Sequence, residues 1–228
     1  MKKFIALAIT LLFLAGILLG FGLGFLFPEE TIDYNEVHMN LPAVRADGKG
    51  MLAEVVAVVK PGQGRVLVSV NDVLAGFETQ ESARIASLVA SNFTGKRLDH
   101  VDLIYSIRAN ASSIDGPSAG AALTVTTIAA LEKKQLNRSV MMTGTIKENG
   151  EIGKASGVEA KIGASKDVGA RLFLVSTEQD LNNHVQKEQI CEEIGSINYC
   201  RIDYVEAQNF SLPVERVRNI EEAWGYFV

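Results

Sequence analysis

The feature that most restricts this chain is an uncharged apolar run near its N-terminus. Phe4 to Phe27 contains only apolar residues, glycines and one threonine. As a helix this run would be roughly 36 Å long, enough to cross a bilayer core of about 30 Å with some tilt. A buried core helix rarely stays apolar on every side over such a length, and a cleaved signal peptide has a shorter apolar region and a small-residue cleavage site. We therefore predict an uncleaved transmembrane helix.

The charges that flank this run predict its orientation. Two lysines precede it and three acidic residues follow it: Lys2, Lys3, Glu29, Glu30 and Asp33. By the positive-inside rule, the N-terminus lies in the cytoplasm and the rest of the chain lies outside, at the cell membrane. We predict an anchor over residues 1–28, a polar linker over 29–50 and a folded domain over 51–228.

Composition excludes one class of partner and leaves one cysteine pair open. The formal net charge is −5, and without Lys2 and Lys3 the balance is more acidic still. No basic stripe is present, so nucleic acid is not an expected partner. Cys191 and Cys200 are the only cysteines. In an oxidising exterior they could close a short loop worth roughly 2.5–3 kcal/mol, and the alternative is two unrelated buried thiols.

The predicted elements alternate irregularly between strands and helices. We expect a hairpin over 51–70 that turns at Pro61–Gly64, because two β-rich segments flank a turn signal. Further strands are predicted over 101–107, 139–145, 171–176 and 202–205, and helices over 78–93, 118–134, 158–168, 178–187 and 213–226. This order predicts a mixed α/β (α+β) domain and not a regular alternating parallel sheet.

Ser118 lies in a segment that allows another chain to approach closely. It stands within Asp115–Gly120, which reads Asp-Gly-Pro-Ser-Ala-Gly and opens a small-residue helix. Glycines permit a sharp turn, and a helix start presents free N–H groups and the positive end of the helix dipole. Such a place suits a tetrahedral oxyanion, so Ser118 is a candidate nucleophile. The alternative is that Ser118 only caps the helix.

Lys161 is the candidate base for this serine. Its predicted helix is partly apolar around it, with Val158, Ala160, Ile162 and Ala164. To accept a proton near neutral pH, the lysine pKa must fall from about 10.4 to about 7–8, and burial supplies such a shift. A hydroxyl such as that of Thr143 can orient the neutral amine. The alternative is a solvated helix lysine, the usual fate of this residue type.

Taken together, these segments resemble the proteolytic domain of Lon proteases. The resemblance rests on Asp115–Gly120, on Met142-Thr143-Gly144, and on Gly150-Glu151-Ile152 leading to Gly157–Lys161. It implies that Ser118 is the nucleophile, that Lys161 is the general base and that Thr143 supports Lys161. It also suggests that Asp115 and Gly116 shape the oxyanion region. Family rings are usually hexameric, so a homo-oligomer is a possible assembly, and unfolded or loop polypeptides are the expected substrates.

The sequence departs from that family in two ways. Typical Lon chains carry a large ATPase module, and this sequence contains no complete phosphate loop: Gly153–Ser156 imitates the end of one, but Glu148 stands where its first glycine should be. We therefore expect ATP-independent cleavage. In addition, many Lon domains place histidines in the strand before the serine loop, whereas residues 103–107 here contain none.

Other chemistries find less support. His38, His100 and His184 are isolated and lack zinc-ligand spacing, so we expect no metal and no cofactor. Two alternatives to a peptidase stay open. One is a small-molecule kinase of the GHMP type, which has a related fold and binds phosphate at a helix start. The other is an anchored, catalytically inactive binding domain.

Overall fold

The computed structural model divides the chain into residues 1–32 and residues 33–228. It describes Phe13, Gly16, residues 32–181, the backbone of 184–194 and 197–207, Phe210 and residues 212–228. The transmembrane helix predicted over 4–27 lies outside these residues, apart from Phe13 and Gly16. Among the residues described, no helix has both the length and the hydrophobicity for a membrane crossing.

A four-stranded sheet in the order β1-β2-β5-β3 forms one side of the domain. Its strands are β1 (Asn35–Val44), β2 (Gly50–Pro61), β3 (Val66–Val68) and β5 (Val101–Ala109). The linker prediction is wrong for residues 35–44. They pair antiparallel with β2 across a short turn in which Gly48 adopts a positive φ, and alternate residues of β1 are buried. The sheet has this strand because β1 alternates apolar and polar residues despite its polar flanks.

Two helices cover this sheet. They are α1 (Phe77–Thr94) and α2 (Gly120–Glu132). Helix α2 packs against α1, β1 and β2, and its residues from Gly120 to Leu131 are all buried. Alanine and threonine dominate α2, and the threonine hydroxyls donate to carbonyls one turn earlier, as Thr124 does to Gly120 at 2.8 Å. The small side chains thus let the central helix be enclosed on all sides.

A second, parallel sheet in the order β13-β10-β7 carries the rest of the domain. It consists of β7 (Val140–Met142), β10 (Leu172–Ser176) and β13 (Val214–Val217), with helices α3 (Val158–Asp167) and α4 (Ile220–Phe227). Short pairs complete the structure: β4 (Leu74–Ala75) with β6 (Ser113–Ile114), and β8 (Thr145–Ile146) with β9 (Ile152–Gly153). The predicted mixed α/β architecture is confirmed.

A long hairpin replaces part of the predicted helical C-terminal region. Strands β11 (His184–Ile194) and β12 (Ile197–Ala207) pair antiparallel over their full length. The helix predicted over 178–187 is therefore wrong, because pairing with β12 overrides the helix preference of its Gln, Lys and Glu residues. In this register Cys191 lies directly opposite Cys200.

Two other sequence predictions need correction. The segments 51–60 and 65–70 do not pair with each other, since β2 lies between β1 and β5 while β3 runs parallel to β5. Hydrophobic pattern located these strands but could not assign their partners. The terminal helix begins at Ile220, not at 213, because β13 joins the edge of β10 first and Asn219 caps the helix by accepting from the Glu222 N–H.

Candidate active site

Ser118 is held at the junction between β6 and α2. Pro117–Ala119 form a 3-10 turn that leads directly into α2. Gly116, just before it, has φ 123°, a conformation that side-chain-bearing residues rarely adopt. A Cβ on Gly120 would lie 2.6 Å from Ile146 Cγ2, so glycine is needed there for close packing. The two glycines that flank Ser118 therefore serve different purposes, backbone conformation and space.

Lys161 points from the buried face of α3. The buried residues of this helix are Val158, Lys161, Ile162 and Ser165, which follow the i, i+3, i+4, i+7 spacing of one helical face. Val158 and Ile162 pack into an apolar cluster with Met141 and Phe173. The Lys161 side chain shares that face and is only 3% exposed.

The ends of β1 and β2 fix the position of α3. Gly157, the N-cap of α3, has φ 63°, and a Cβ there would lie 2.6 Å from Val44 Cγ2 at the end of β1. A Cβ on Gly50, the first residue of β2, would lie 2.0 Å from the Ala160 carbonyl oxygen. The Val44 side chain and the Gly50 backbone of this hairpin thus pack closely against the first turn of α3.

Ser118, Lys161 and Thr143 meet at one point. Lys161 Nζ lies 2.7 Å from Ser118 Oγ and 3.1 Å from Thr143 Oγ1. Thr143 Oγ1 in turn donates to the Ser118 carbonyl at 3.3 Å. A neutral amine has two N–H groups and one lone pair. When Thr143 receives one N–H, the lone pair of Lys161 is free to accept the Ser118 hydroxyl proton.

Burial adjusts the lysine for this role. Desolvation lowers the pKa of Lys161 from 10.5 to about 8, because the buried surroundings disfavour the ammonium form. A substantial neutral fraction therefore exists near pH 8. Among the residues that the structure describes, no carboxylate or histidine hydrogen-bonds to the amine.

The sequence that forms this site matches a known protein family. The model of the Lon protease (S16) C-terminal proteolytic domain matches residues 29–209. The chain belongs to this family. An archaeal Lon protease of Archaeoglobus fulgidus is 27% identical over 149 residues, and one of Thermoplasma acidophilum is 24% identical over 186 residues. A Lon protease of Neorickettsia sennetsu is 31% identical over 142 residues.

These alignments include only part of each relative. They cover 64%, 76% and 59% of this chain, but 24%, 27% and 17% of the relatives, in the order given. The chain thus spans about a quarter or less of the Lon proteases that it resembles. The similarity establishes a serine peptidase domain of the Lon type.

The cleft at Ser118 is lined by both apolar and polar side chains. The apolar ones include Leu41, Val44, Ile107 and Ile114, from β1, β5 and β6. The polar ones include Thr145, Lys154, Ser156 and Lys161. Residues 41–44 were missed from the sequence because they fall within the predicted linker. Their alternating apolar pattern was the available signal.

Asp115 and Gly116 line the same cleft, but they contact each other and α1. Asp115 Oδ1 accepts the N–H groups of Gly116 at 2.9 Å, Glu78 at 3.1 Å and Thr79 at 3.3 Å. The expectation that Gly116 shapes the oxyanion region therefore needs a qualification: its N–H is occupied by Asp115. The N–H groups nearest the nucleophile are those of Ser118 and Ala119, because Pro117 has none.

Residues Gly153–Ser156, which resemble the end of a phosphate loop, form contacts within the domain. Lys154 Nζ donates to Asp180 at 2.7 Å, and the Ala155 N–H donates to Gln179 Oε1 at 2.8 Å. Glu148 pairs with Arg84 on the surface. His38 likewise contacts Glu36 and Glu54, away from the dyad. Within the described part of the chain, no group of three His, Cys, Asp or Glu side chains is placed to hold a metal ion.

Proposed function

We propose that this protein is a membrane-anchored serine endopeptidase that cleaves polypeptides without ATP through a Ser118–Lys161 dyad. One observation carries the proposal: the 2.7 Å contact between Ser118 Oγ and a lysine amine that is 3% exposed. A lysine in such a place has its charged form disfavoured, and within the described part of the chain its side-chain amine hydrogen-bonds to two hydroxyls. That combination activates a serine and has no evident structural use.

Acylation begins with proton transfer from Ser118 to neutral Lys161. The Ser118 Oγ attacks the carbonyl carbon of the scissile peptide bond, and the carbonyl oxygen takes up the negative charge. We assign the stabilisation of this oxyanion to the N–H groups of Ser118 and Ala119, because the first N–H groups of a helix have no partner within it. The Lys161 ammonium then donates its proton to the leaving nitrogen as the C–N bond breaks. An ester between Ser118 and the acyl half of the substrate remains.

Deacylation repeats these roles with water. Lys161, neutral again after releasing its proton to the amine product, accepts a proton from water as the hydroxyl oxygen attacks the ester carbon. The Ser118–acyl bond breaks, and Lys161 returns the proton to Ser118 Oγ. Thr143 keeps the amine oriented throughout, because its oxygen accepts one N–H while its own hydrogen stays on the Ser118 carbonyl.

The cleft supports polypeptide substrates with apolar side chains beside the scissile bond. Leu41, Val44, Ile107 and Ile114 line the same cleft as Ser118. Unfolded chains and exposed loops present such side chains, whereas folded proteins bury them. We therefore propose unfolded or loop polypeptides as substrates.

The proposed location rests on the N-terminal sequence. The uncharged run of 4–27 has the length of a bilayer crossing, and the lysines at 2 and 3 favour a cytoplasmic N-terminus. The catalytic domain then lies outside the cytoplasm. ATP independence is supported by the ion pair that occupies Lys154 and by Glu148 in place of a phosphate-loop glycine.

The test is cleavage of an unfolded protein by the full chain and by Ser118→Ala. The variant should keep the fold and lose nearly all turnover, together with covalent labelling by a serine-directed probe. Ser113→Ala is the matched control, because Ser113 is an exposed serine of the same loop, and it should behave as wild type. Equal cleavage by Ser118→Ala and wild type would exclude the dyad.

A further inference from the structure

The segment that leads to Ser118 contacts β4 and the start of α1. The carbonyls of Ser112 and Ile114 accept the N–H groups of Leu74, in β4, and Gly76, the N-cap of α1, at 3.1 and 2.9 Å. The Thr79 hydroxyl then donates to the Gly116 carbonyl at 3.4 Å, and the Ser82 hydroxyl, which donates to the Glu78 carbonyl at 2.8 Å, lies 3.4 Å from the Pro117 carbonyl. The nucleophile is the next residue after these contacts.

Asp115 makes the central contact of this attachment. Its Oδ1 accepts the N–H groups of Glu78 and Thr79, the second and third residues of α1, and also that of Gly116. The first N–H groups of a helix have no partner within the helix, and a carboxylate is favoured there by the helix dipole. The N-cap residue of α1 is Gly76, which has no side chain to serve them. Asp115 therefore caps a helix that lies elsewhere in the sequence.

Gly76 is a glycine because Asp115 occupies the space of its side chain. Its φ of −73° and ψ of 178° are open to any residue, so backbone conformation does not require glycine. A Cβ at this position would lie 2.1 Å from Asp115 Cγ. Since carbon atoms approach to about 3.5 Å, the carboxyl group would have to move by on the order of 1 Å.

We propose that Asp115 and Gly76 form a positioning pair: the Asp115 carboxylate, seated over Gly76 on the N-terminus of α1, holds Ser118 at its working distance from Lys161. Asp115 does not touch the reacting atoms and acts through the loop backbone. The proposal rests on the proposed peptidase function and adds two residues to its machinery.

The proposed pair predicts that its variants have a lower kcat and a nearly unchanged KM. Gly76→Ala and Asp115→Ala should each lower kcat by about a hundredfold, because a misplacement of about 1 Å at a catalytic group has an effect of this size. KM should change little, since the apolar side chains that line the cleft remain. Asp115→Asn should restore most of the activity, because its carbonyl oxygen can accept the same three N–H groups.

A double-variant experiment separates this pair from a general loss of stability. The three atoms nearest to a Cβ at 76 all belong to the Asp115 carboxyl group, so the variant that combines Gly76→Ala with Asp115→Ala should be no slower than Asp115→Ala alone. Gly225→Ala is the matched control, because a Cβ there meets nothing within 4 Å, and it should keep full activity. Multiplied losses in the double variant, or normal kcat in Gly76→Ala, would overturn the proposal.

A second readout does not depend on peptidase activity. Hydrogen exchange at the Glu78 and Thr79 amides should speed up in Gly76→Ala and Asp115→Ala, but not in Ser118→Ala or Asp115→Asn. If exchange is faster in Gly76→Ala and Asp115→Ala but cleavage does not require Ser118, the proposed function is refuted and the capping contact still stands. Unchanged exchange in both alanine variants would refute the pair itself.

Discussion

The pH dependence of cleavage should follow the titration of Lys161. Burial places its pKa at about 8 instead of 10.5, and only the neutral amine accepts the Ser118 proton. The neutral fraction is then about 9% at pH 7, about 50% at pH 8 and about 91% at pH 9. The rate should therefore rise about tenfold between pH 7 and pH 9 and level off above that.

The assay is the kcat/KM for an uncharged peptide between pH 6 and pH 10 at constant ionic strength, which reports the free enzyme. Lys161→Arg is the decisive variant, because guanidinium keeps its charge over this range and cannot take the proton. It should lack turnover at every pH. A Lys161→Arg enzyme with a normal rate and the same pH profile would assign the base to another residue. A wild-type profile that is flat from pH 6 upward would refute the lowered pKa.

The same shift predicts an effect on stability with a definite sign. Between pH 8 and 10.5 the unfolded chain binds the Lys161 proton and the folded chain does not, so stability rises with pH over this window. Below pH 8, burial of Lys161 lowers the free energy of unfolding by about 3 kcal/mol. Lys161→Met removes this penalty and loses two hydrogen bonds of about 1 kcal/mol each. At pH 7 it should therefore be more stable than wild type by about 1 kcal/mol in chemical denaturation. The difference should vanish at pH ~9 and reverse to about 1 kcal/mol in favour of wild type at pH ~10, where the penalty is largely gone.

Further outcomes follow from the site and from the sequence. Thr143→Val should lower kcat about tenfold or more because the Lys161 amine loses its orienting acceptor, while Thr143→Ser should retain most activity in the same peptide assay. If Cys191 and Cys200, opposite each other in the β11–β12 register, form a disulfide, mass spectrometry of the unreduced protein should give a mass two hydrogens lower than after reduction. Protease added to spheroplasts should digest the domain, and full protection before lysis would reverse the proposed topology. ATP with magnesium should leave the cleavage rate unchanged, and a several-fold stimulation would contradict the proposal.

Local motifs were sufficient to select Ser118, Thr143 and Lys161, which the structure brings within hydrogen-bond distance of one another. Asp115–Gly120 and Gly157–Lys161 combine glycines, small residues and helix starts, and these are properties of short segments. The helices over 78–93 and 158–168 were also predicted within a few residues, because their apolar spacing is regular. Features that depend on residue types within a short segment can thus be predicted from the sequence.

Pairing between distant segments was not readable in this way. The alternating apolar pattern of residues 35–44 is compatible with a strand, but the polar, proline and glycine residues around it also suggest a linker, and pairing with β2 decides between the two. Likewise, residues 184–187 have a helix-favouring composition but join a hairpin. The contacts of the buried Asp102, in β5, are also between distant segments and could not be predicted from the sequence. Its carboxylate accepts from the Gln63 N–H at 2.8 Å and from Arg65 Nε at 3.0 Å, contacts between residues almost forty positions apart.

Strand β1, which was predicted to be part of a linker, lies close to the helix that carries Lys161. Val44 and Gly50, at the two ends of the β1–β2 turn, contact the backbone of α3 at Gly157 and Ala160, immediately before Lys161. Desolvation is the cause of the lowered lysine pKa, so a change that moves this turn away from α3 and exposes the Lys161 amine to water should raise that pKa. A side chain larger than hydrogen at Gly50 should shift the pH–rate midpoint upward without touching Ser118 or Lys161.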